Sequence, residues 1–215
     1  MLVGERCSCP VITVSPDMPI MDALEMLKRE GIRRAPVIKK GKIVGIISEK
    51  DILNASHSPT TSLSVWELHY LLSKVTISEV MSREVTTVSE DTPIEEAARI
   101  MSDENIGGLP VMKGDQLVGL ITETDIFKIF LELMGARQVG VRVTALLPEK
   151  RGQLAILTQA IASAGGNFVA FGQVCGDDPS NRMVTFKVSD LTEDQVRKIT
   201  EPLVEKLLDI RSQTQ

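Results

Sequence analysis

Aromatic residues make up only 3% of this chain of 215 residues, with one Trp, one Tyr and five Phe. So few rings argue against a base-stacking platform for single-stranded nucleic acid. Nor is there an excess of positive charge: the net charge is −5, which gives nucleic-acid binding no global electrostatic support. Cysteine is scarce, with Cys7, Cys9 and Cys175 alone, too few for a disulfide scaffold. The Cys7-x-Cys9 pair has no partners at zinc-site spacing, so all three are read as reduced thiols. The two histidines, His57 and His69, lie close together in one segment and complete no ligand set. No apolar run is long enough to span a bilayer and the N-terminus has no apolar signal core, so no membrane partner and a cytoplasmic location are expected. A phosphate-binding Walker turn, a Gly-x-Ser-x-Gly elbow and a His-Glu-x-x-His pair are all missing from the sequence, and nothing pairs a nucleophile with a base. An enzyme is therefore not expected.

What the chain does have is one phrase written twice. Pro36-Val37-Ile38, a Lys/Gly turn, Ile43-Val44-Gly45-Ile46-Ile47 and Ser48-Glu49-Lys50-Asp51 return as Pro110-Val111-Met112, a turn, Leu117-Val118-Gly119-Leu120-Ile121 and Thr122-Glu123-Thr124-Asp125. The offset is a constant 74 residues, as from Asp51 to Asp125, and it extends upstream to Thr13-Val14-Ser15 and Thr87-Val88-Ser89. Such a duplication predicts two halves about a pseudo-twofold axis with equivalent clefts.

Each copy opens with a β-like run, Val11–Val14 or Val85–Val88. A helix follows, with Ile20, Ala23, Leu24 and Leu27, or Ile94, Ala97, Ala98 and Met101, at the i, i+3, i+4, i+7 spacing of a buried stripe. Thr92 is the expected N-cap in the second copy, with Pro93 at the first helical position and Glu95 closing a capping box. Gly31 and Asn105 tolerate the left-handed conformation that ends helices. Two apolar strands joined by a tight turn then form a hairpin, and the Ser/Thr-x-x-Asp turn starts a second helix. Between the copies, Ser64 to Leu72 has helical spacing. Trp66, His69 and Tyr70 are read there as packing residues of a connector.

The Ser/Thr-x-x-Asp turn has two readings. It is a capping-box-like sequence that stabilises by about 1 kcal/mol. It is also suited to a nucleoside phosphate, because a helix N-terminus and a hydroxyl favour phosphate while a carboxylate accepts from a ribose diol. Its recurrence in register, each time after a strand glycine (Gly45 or Gly119), favours binding as well as capping.

This duplicated β-α-β-β-α pattern resembles the tandem CBS-domain family, over roughly residues 5–134. The resemblance implies a Bateman module that binds an adenosine-containing ligand, such as AMP, ADP, ATP or S-adenosylmethionine, in clefts between the repeats. Asp51 and Asp125 are then implied to meet the ribose, and Ser48 and Thr122 to lie near phosphate. The adenine would meet the opening runs, at Ile12 and Thr13 or at Thr86 and Thr87. The resemblance also sets Arg33 and Arg34 toward the Asp125 cleft, where guanidinium groups suit phosphate oxygens, and Gly107 and Gly108 toward the Asp51 cleft. The solvated-surface reading of the two arginines stays open. The Asp125 side is expected to take a phosphorylated ligand first.

After Gly135 the pattern changes to β-α-β-β-α-β, a ferredoxin-like order. Val139, Val141, Val143 and Ala145 alternate as a strand, and Leu154, Leu157, Ile161 and Ala164 mark a buried helix face. Thr192 and Gln195 form a capping box. The Pro148-x-x-x-Gly152 turn and Gly165-Gly166-Asn167 resemble an ACT domain, which implies an amino-acid site near Pro148 and Gly152 with Asn167 close by. Dimerisation is an equal reading, because side-by-side pairing covers an exposed edge strand.

The expected architecture is mixed α/β. A tandem CBS pair occupies 1–136, with repeats at about 5–56 and 78–134 and a connector at 57–77, and an ACT domain occupies 138–215. The combination is similar to the acetoin-utilisation CBS–ACT proteins. It implies a regulatory sensor that needs no cofactor, takes an adenine nucleotide as its regulatory ligand, forms a homodimer and acts on an unknown regulated protein. The alternatives are a dimerisation scaffold with empty clefts and a small enzyme.

Overall fold

In the computed structural model, residues 1–56 and 74–213 are described. The expected connector helix with Trp66, His69 and Tyr70 lies outside the described residues. The chain divides into two units, Met1–Ile126 and Phe127–Gln215.

In the first unit, helix α1 (Ile20–Arg29) leads to a hairpin of β1 (Arg34–Lys39) and β2 (Lys42–Ser48), then α2 (Glu49–Ser56) and a single turn α3 (Ile77–Val80). The second copy runs β3 (Val88–Ser89), α4 (Ile94–Asp103), β4 (Gly108–Lys113), β5 (Gln116–Thr122) and α5 (Glu123–Leu133). The hairpins carry their irregularities at matching places, with register shifts at Val37/Ile38 and at Val111/Met112. The predicted stripe of α1 is buried at Ile20, Ala23, Leu24 and Leu27, and that of α4 at Ile94, Ala97 and Met101. Gly31 (φ +65°) and Asn105 (φ +54°) both take the left-handed conformation that stops the preceding helix.

Two local expectations need correction. The opening runs are not strands along their length: in the first copy only Val14 pairs, in parallel with Val37, and in the second β3 is two residues long. The cap of α4 is Pro93 and not Thr92, whose hydroxyl accepts instead from Ser89 N–H at 3.1 Å. Pro19 caps α1 in the same way.

The halves exchange their leading segments. Ser82 pairs with Ile46 on β2, and Ser8 pairs with Leu120 on β5, the same bridge at the repeat offset with the halves swapped. Gly45 and Gly119 make this possible. A Cβ at Gly45 would lie 2.8 Å from Ser82 O, and one at Gly119 would lie 2.5 Å from Cys7 Sγ.

In the second unit the order is β6 (Gly140–Pro148), α6 (Gln153–Ser163), β7 (Asn167–Cys175), β8 (Asn181–Ser189), α7 (Glu193–Thr200) and β9 (Lys206–Gln213). The four strands form one antiparallel sheet in the order β7-β8-β6-β9. Its core includes Val143, Ala145, Leu157, Ile161, Val184 and Phe186. Thr192 and Gln195 form the expected capping box on α7. Leu154 is 40% exposed and Ala164 is also exposed, contrary to the expected face of α6, because Leu157 and Ile161 already fill the contact with the sheet.

The unit begins earlier than residue 138, because the end of α5 and its following loop are tied to this sheet. Lys187 on β8 is only 2% exposed, and its Nζ donates to Gly135 O (2.6 Å), Gln138 O (2.8 Å) and Gln213 Oε1 (2.6 Å). Burial pulls this ammonium below its ordinary pKa, with Arg142 adding to the shift. The three acceptors offset that cost of burying the charge. Among the described residues, no helix is long and apolar enough to cross a membrane.

Candidate functional site

Both Ser/Thr-x-x-Asp turns cap the helix that follows. Asp51 Oδ2 accepts from Ser48 N–H (2.8 Å) and Ser48 Oγ (2.6 Å), while Ser48 Oγ accepts from Asp51 N–H (3.3 Å). Asp125 Oδ2 accepts from Thr122 N–H (3.0 Å) and Thr122 Oγ1 (2.7 Å). Capping and ligand binding are compatible here, because the bonds from Ser48 all go to Oδ2 of Asp51 and leave Oδ1 for another donor.

The helix N-termini are less open than the turn alone implies. Glu49 N–H, the first of α2, donates to Arg33 O at 2.9 Å, and Glu123 N–H, the first of α5, donates to Gly107 O at 3.2 Å. Anion binding at this place therefore falls mainly to side chains.

A cavity of about 690 Å³ opens at the first turn, within the size range of small-molecule sites. Ser48, Asp51, Arg33, Arg34 and Thr86 all line it, together with Gly107 and Gly108 of the other repeat. The structure thus brings residues of both repeats to Asp51. It places both arginines in this wall, whereas the sequence reading set them toward Asp125. Arg33 also reaches the other side, donating from Nη2 to Thr124 Oγ1 at 2.6 Å.

Arg34 reaches the cavity because Gly107 and Gly108 carry no side chains. A Cβ at Gly107 would collide with the Arg34 guanidinium and with Glu123 Oε2, and one at Gly108 would lie 3.0 Å from Arg34 Cδ. Burial pulls the pKa of Arg34 below its ordinary value; the carboxylate of Glu123 opposes that shift, Arg33 adds to it and Asp51 opposes it. A guanidinium held this way, partly stripped of water, gains when a phosphate or carboxylate approaches.

The remaining candidates are dispersed. Thr86, which lines the same cavity, donates from Oγ1 to Glu104 Oε2 at 2.6 Å. Thr87 lines a separate cavity of about 620 Å³, with Lys42, Arg83 and Asp115. Ile12 is half-buried and Thr13 exposed, and neither lines the Asp51 cavity. Lys50, Glu84 and Glu123 also line the cavity and were not singled out from the sequence. Glu123 was readable, because it repeats Glu49 inside the duplicated phrase.

In the second unit, Gly152 takes φ +83° as the residue before α6, and a Cβ there would meet nothing within 4 Å, so backbone conformation accounts for this glycine. Pro148 pairs with Asn181 at one end of the sheet, whereas Asn167 pairs with Ser189 at the other. The expected proximity of Asn167 to Pro148 and Gly152 is therefore corrected. β8 runs the length of the sheet between them, and about seven residues of strand span more than 20 Å. Among the described residues, no group of three or more His, Cys, Asp or Glu is placed to hold a metal ion.

Comparison with known proteins agrees with the duplicated architecture. Residues 3–58 and 77–132 each match the CBS domain, together a little over half of the chain. An L-aspartate semialdehyde sulfurtransferase of Methanocaldococcus jannaschii is 35% identical over 131 residues, 60% of this chain but 23% of that protein. The chain thus spans about a quarter of the length of this relative. The solved CBS domain pair of protein MJ0100, in complex with 5′-methylthioadenosine and S-adenosyl-L-methionine, is 34% identical with a TM-score of 0.52, covering 64% of this chain and 98% of that one. A Vibrio cholerae protein described as an acetoin utilization protein (AcuB) is 28% identical with a TM-score of 0.53, covering 64% of this chain and 96% of that one. Two matched domains in register, with the exchanged leading segments and the paired capping turns, place the chain in the CBS-domain family.

Proposed function

We propose that this protein is a regulatory sensor that binds an adenosine-containing ligand in the Asp51 cavity. The observation that carries the reading is the convergence on one cavity of a ribose-suited carboxylate, Asp51, with two guanidinium groups and the opening segment of the opposite repeat. In this reading Asp51 Oδ1 accepts from the ribose diol, and Arg33 and Arg34 take phosphate oxygens, with AMP, ADP and ATP as the candidate ligands. The resemblance to the MJ0100 pair supports the adenosine moiety. It also supports a second reading, an unphosphorylated ligand of the S-adenosylmethionine type, which the carboxylates of Glu84 and Glu123 in the cavity wall would suit.

The second unit is proposed to be an ACT domain, on the support of its β-α-β-β-α-β order and its antiparallel sheet. Its edge strands β7 and β9 leave backbone groups available for pairing with a second copy, so its role in this reading is dimerisation. A conformational signal would pass to a regulated partner only if the ligand binds one arrangement of the repeats better than another.

Calorimetric titration of nucleotide-stripped protein with adenosine, AMP, ADP, ATP and S-adenosylmethionine tests the proposal. The expected result is saturable binding, tighter for a phosphorylated ligand than for adenosine. Preference for S-adenosylmethionine would select the second reading, and no binding of any of the five would return the clefts to a scaffold role. Light scattering on the same sample reads the pairing: a monomer at micromolar concentration overturns it.

A further inference from the structure

The two halves also differ in chemistry where the exchanged leading segments meet the strands. Against Gly45 lies the side chain of Met81. At the matching place against Gly119 lie two sulphurs, Cys7 Sγ and Cys9 Sγ, 3.2 Å apart. Cys9 Sγ donates to Val118 O at 3.1 Å, which anchors it on β5. Ser8 between them is fixed by backbone bonds to Leu120 in both directions (3.0 and 3.3 Å). The two thiols are thus held side by side by the Ser8–Leu120 bridge, with Cys7 Sγ also 3.9 Å from Gly4 O. Cys175, the third cysteine, lies on β7 in the second unit.

We infer that Cys7 and Cys9 are a thiol modification site, which closes to an intrachain disulfide by exchange with a low-molecular-weight disulfide such as oxidised glutathione. A disulfide bond is about 2 Å long, so the sulphurs need approach by only about 1 Å. Cys9 is the exposed member and Cys7 is half-buried, so exchange begins at Cys9. The Cys9 thiolate attacks one glutathione sulphur, forming a mixed disulfide and releasing one glutathione thiolate. The Cys7 thiolate then attacks Cys9 Sγ, the mixed bond breaks and the second glutathione leaves. Two protons pass from the protein thiols to the two glutathiones, the protein loses two electrons and the oxidant gains them.

Burial, then the hydrogen bond to Cys9 and the charge of Cys9, together push the Cys7 thiol up to about 12. The contributions from Cys9 end once Cys9 enters the mixed disulfide, while that of burial stays. The consequence belongs to one half only. Closure removes the Cys9 S–H that donates to Val118 O and so loosens segment 7–9 from β5, two residues before the Thr122–Asp125 turn, whereas the other half has Met81 and Arg83 at these positions.

The test treats the full chain carrying Cys175→Ser with oxidised glutathione, followed by intact-mass and peptide analysis. The expected product is lighter by two hydrogens, with the bond inside the peptide containing Cys7 and Cys9. Adding Cys7→Ser is expected to leave a lasting glutathione adduct on Cys9. Amide exchange of the closed form should quicken over Val118–Thr122 and stay unchanged over Val44–Ser48. An unchanged mass, a lasting adduct while Cys7 is present, a disulfide between two chains, or equal exchange effects in the two halves would each overturn the inference.

Discussion

Asp51→Ala is expected to weaken adenosine-ligand binding by about 10- to 150-fold, as hydrogen bonds to a charged group contribute about 1.5–3 kcal/mol. The same substitution removes the acceptor of Ser48 N–H and Oγ, so the capping of α2 also suffers, by about 1 kcal/mol. Asp51→Asn separates the two effects. An amide oxygen still accepts from Ser48, but the charge is gone and one carboxylate oxygen becomes a donor, so binding falls while stability is largely kept. Asp125→Ala is the matched control: it perturbs the equivalent cap on α5 but stands outside the Asp51 cavity wall. Calorimetric titration of the three variants checks the pattern. Equal loss from Asp51→Ala and Asp125→Ala would show that the two clefts act together, contrary to the account.

Phe186→Ala is expected to cost about 3–5 kcal/mol of stability in the second unit, the usual range for truncating a buried aromatic. Phe186 is 1% exposed and packs against Phe168 and Phe171 at ring-centroid distances of 5.5 and 6.5 Å. Leu154→Ala on α6 provides the contrast. Its side chain is 40% exposed, so a change within about 0.5 kcal/mol is expected, although helical periodicity alone marks it as core. Urea unfolding followed by far-ultraviolet circular dichroism measures both. A loss below about 1 kcal/mol for Phe186→Ala would mean that the aromatic cluster is not where this sheet and its helices are held together.

The sequence announces what is local and repeated. The hairpins, the stripe of α1, the left-handed stops at Gly31 and Asn105 and the Thr192–Gln195 capping box all depend on spacings within one element, and they appear as expected. Contacts between distant segments are much less legible. The exchange of Ser8 and Ser82 between halves depends on long-range pairing that no local period encodes; its one trace is the glycine at 45 and 119. Arg33 keeps a contact with the Thr122–Asp125 turn, whereas Arg34 was readable as chemistry but not as placement. Whether Arg34 faces one cleft or the other is decided by the space above Gly107 and Gly108, 74 residues downstream of Arg33 and Arg34. Leu154 misled for a related reason. α6 is apolar around most of its circumference, with Leu154 and Ile156 both exposed, so its hydrophobic pattern does not single out one inward face.

A crystal structure of the protein grown with the tightest of the titrated ligands tests the central claim most directly. The account predicts the ribose diol on Asp51, with the phosphate of a phosphorylated ligand between Arg33 and Arg34. Ligand held at Asp125 with the Asp51 cavity empty, or bound only in the second unit, would contradict it.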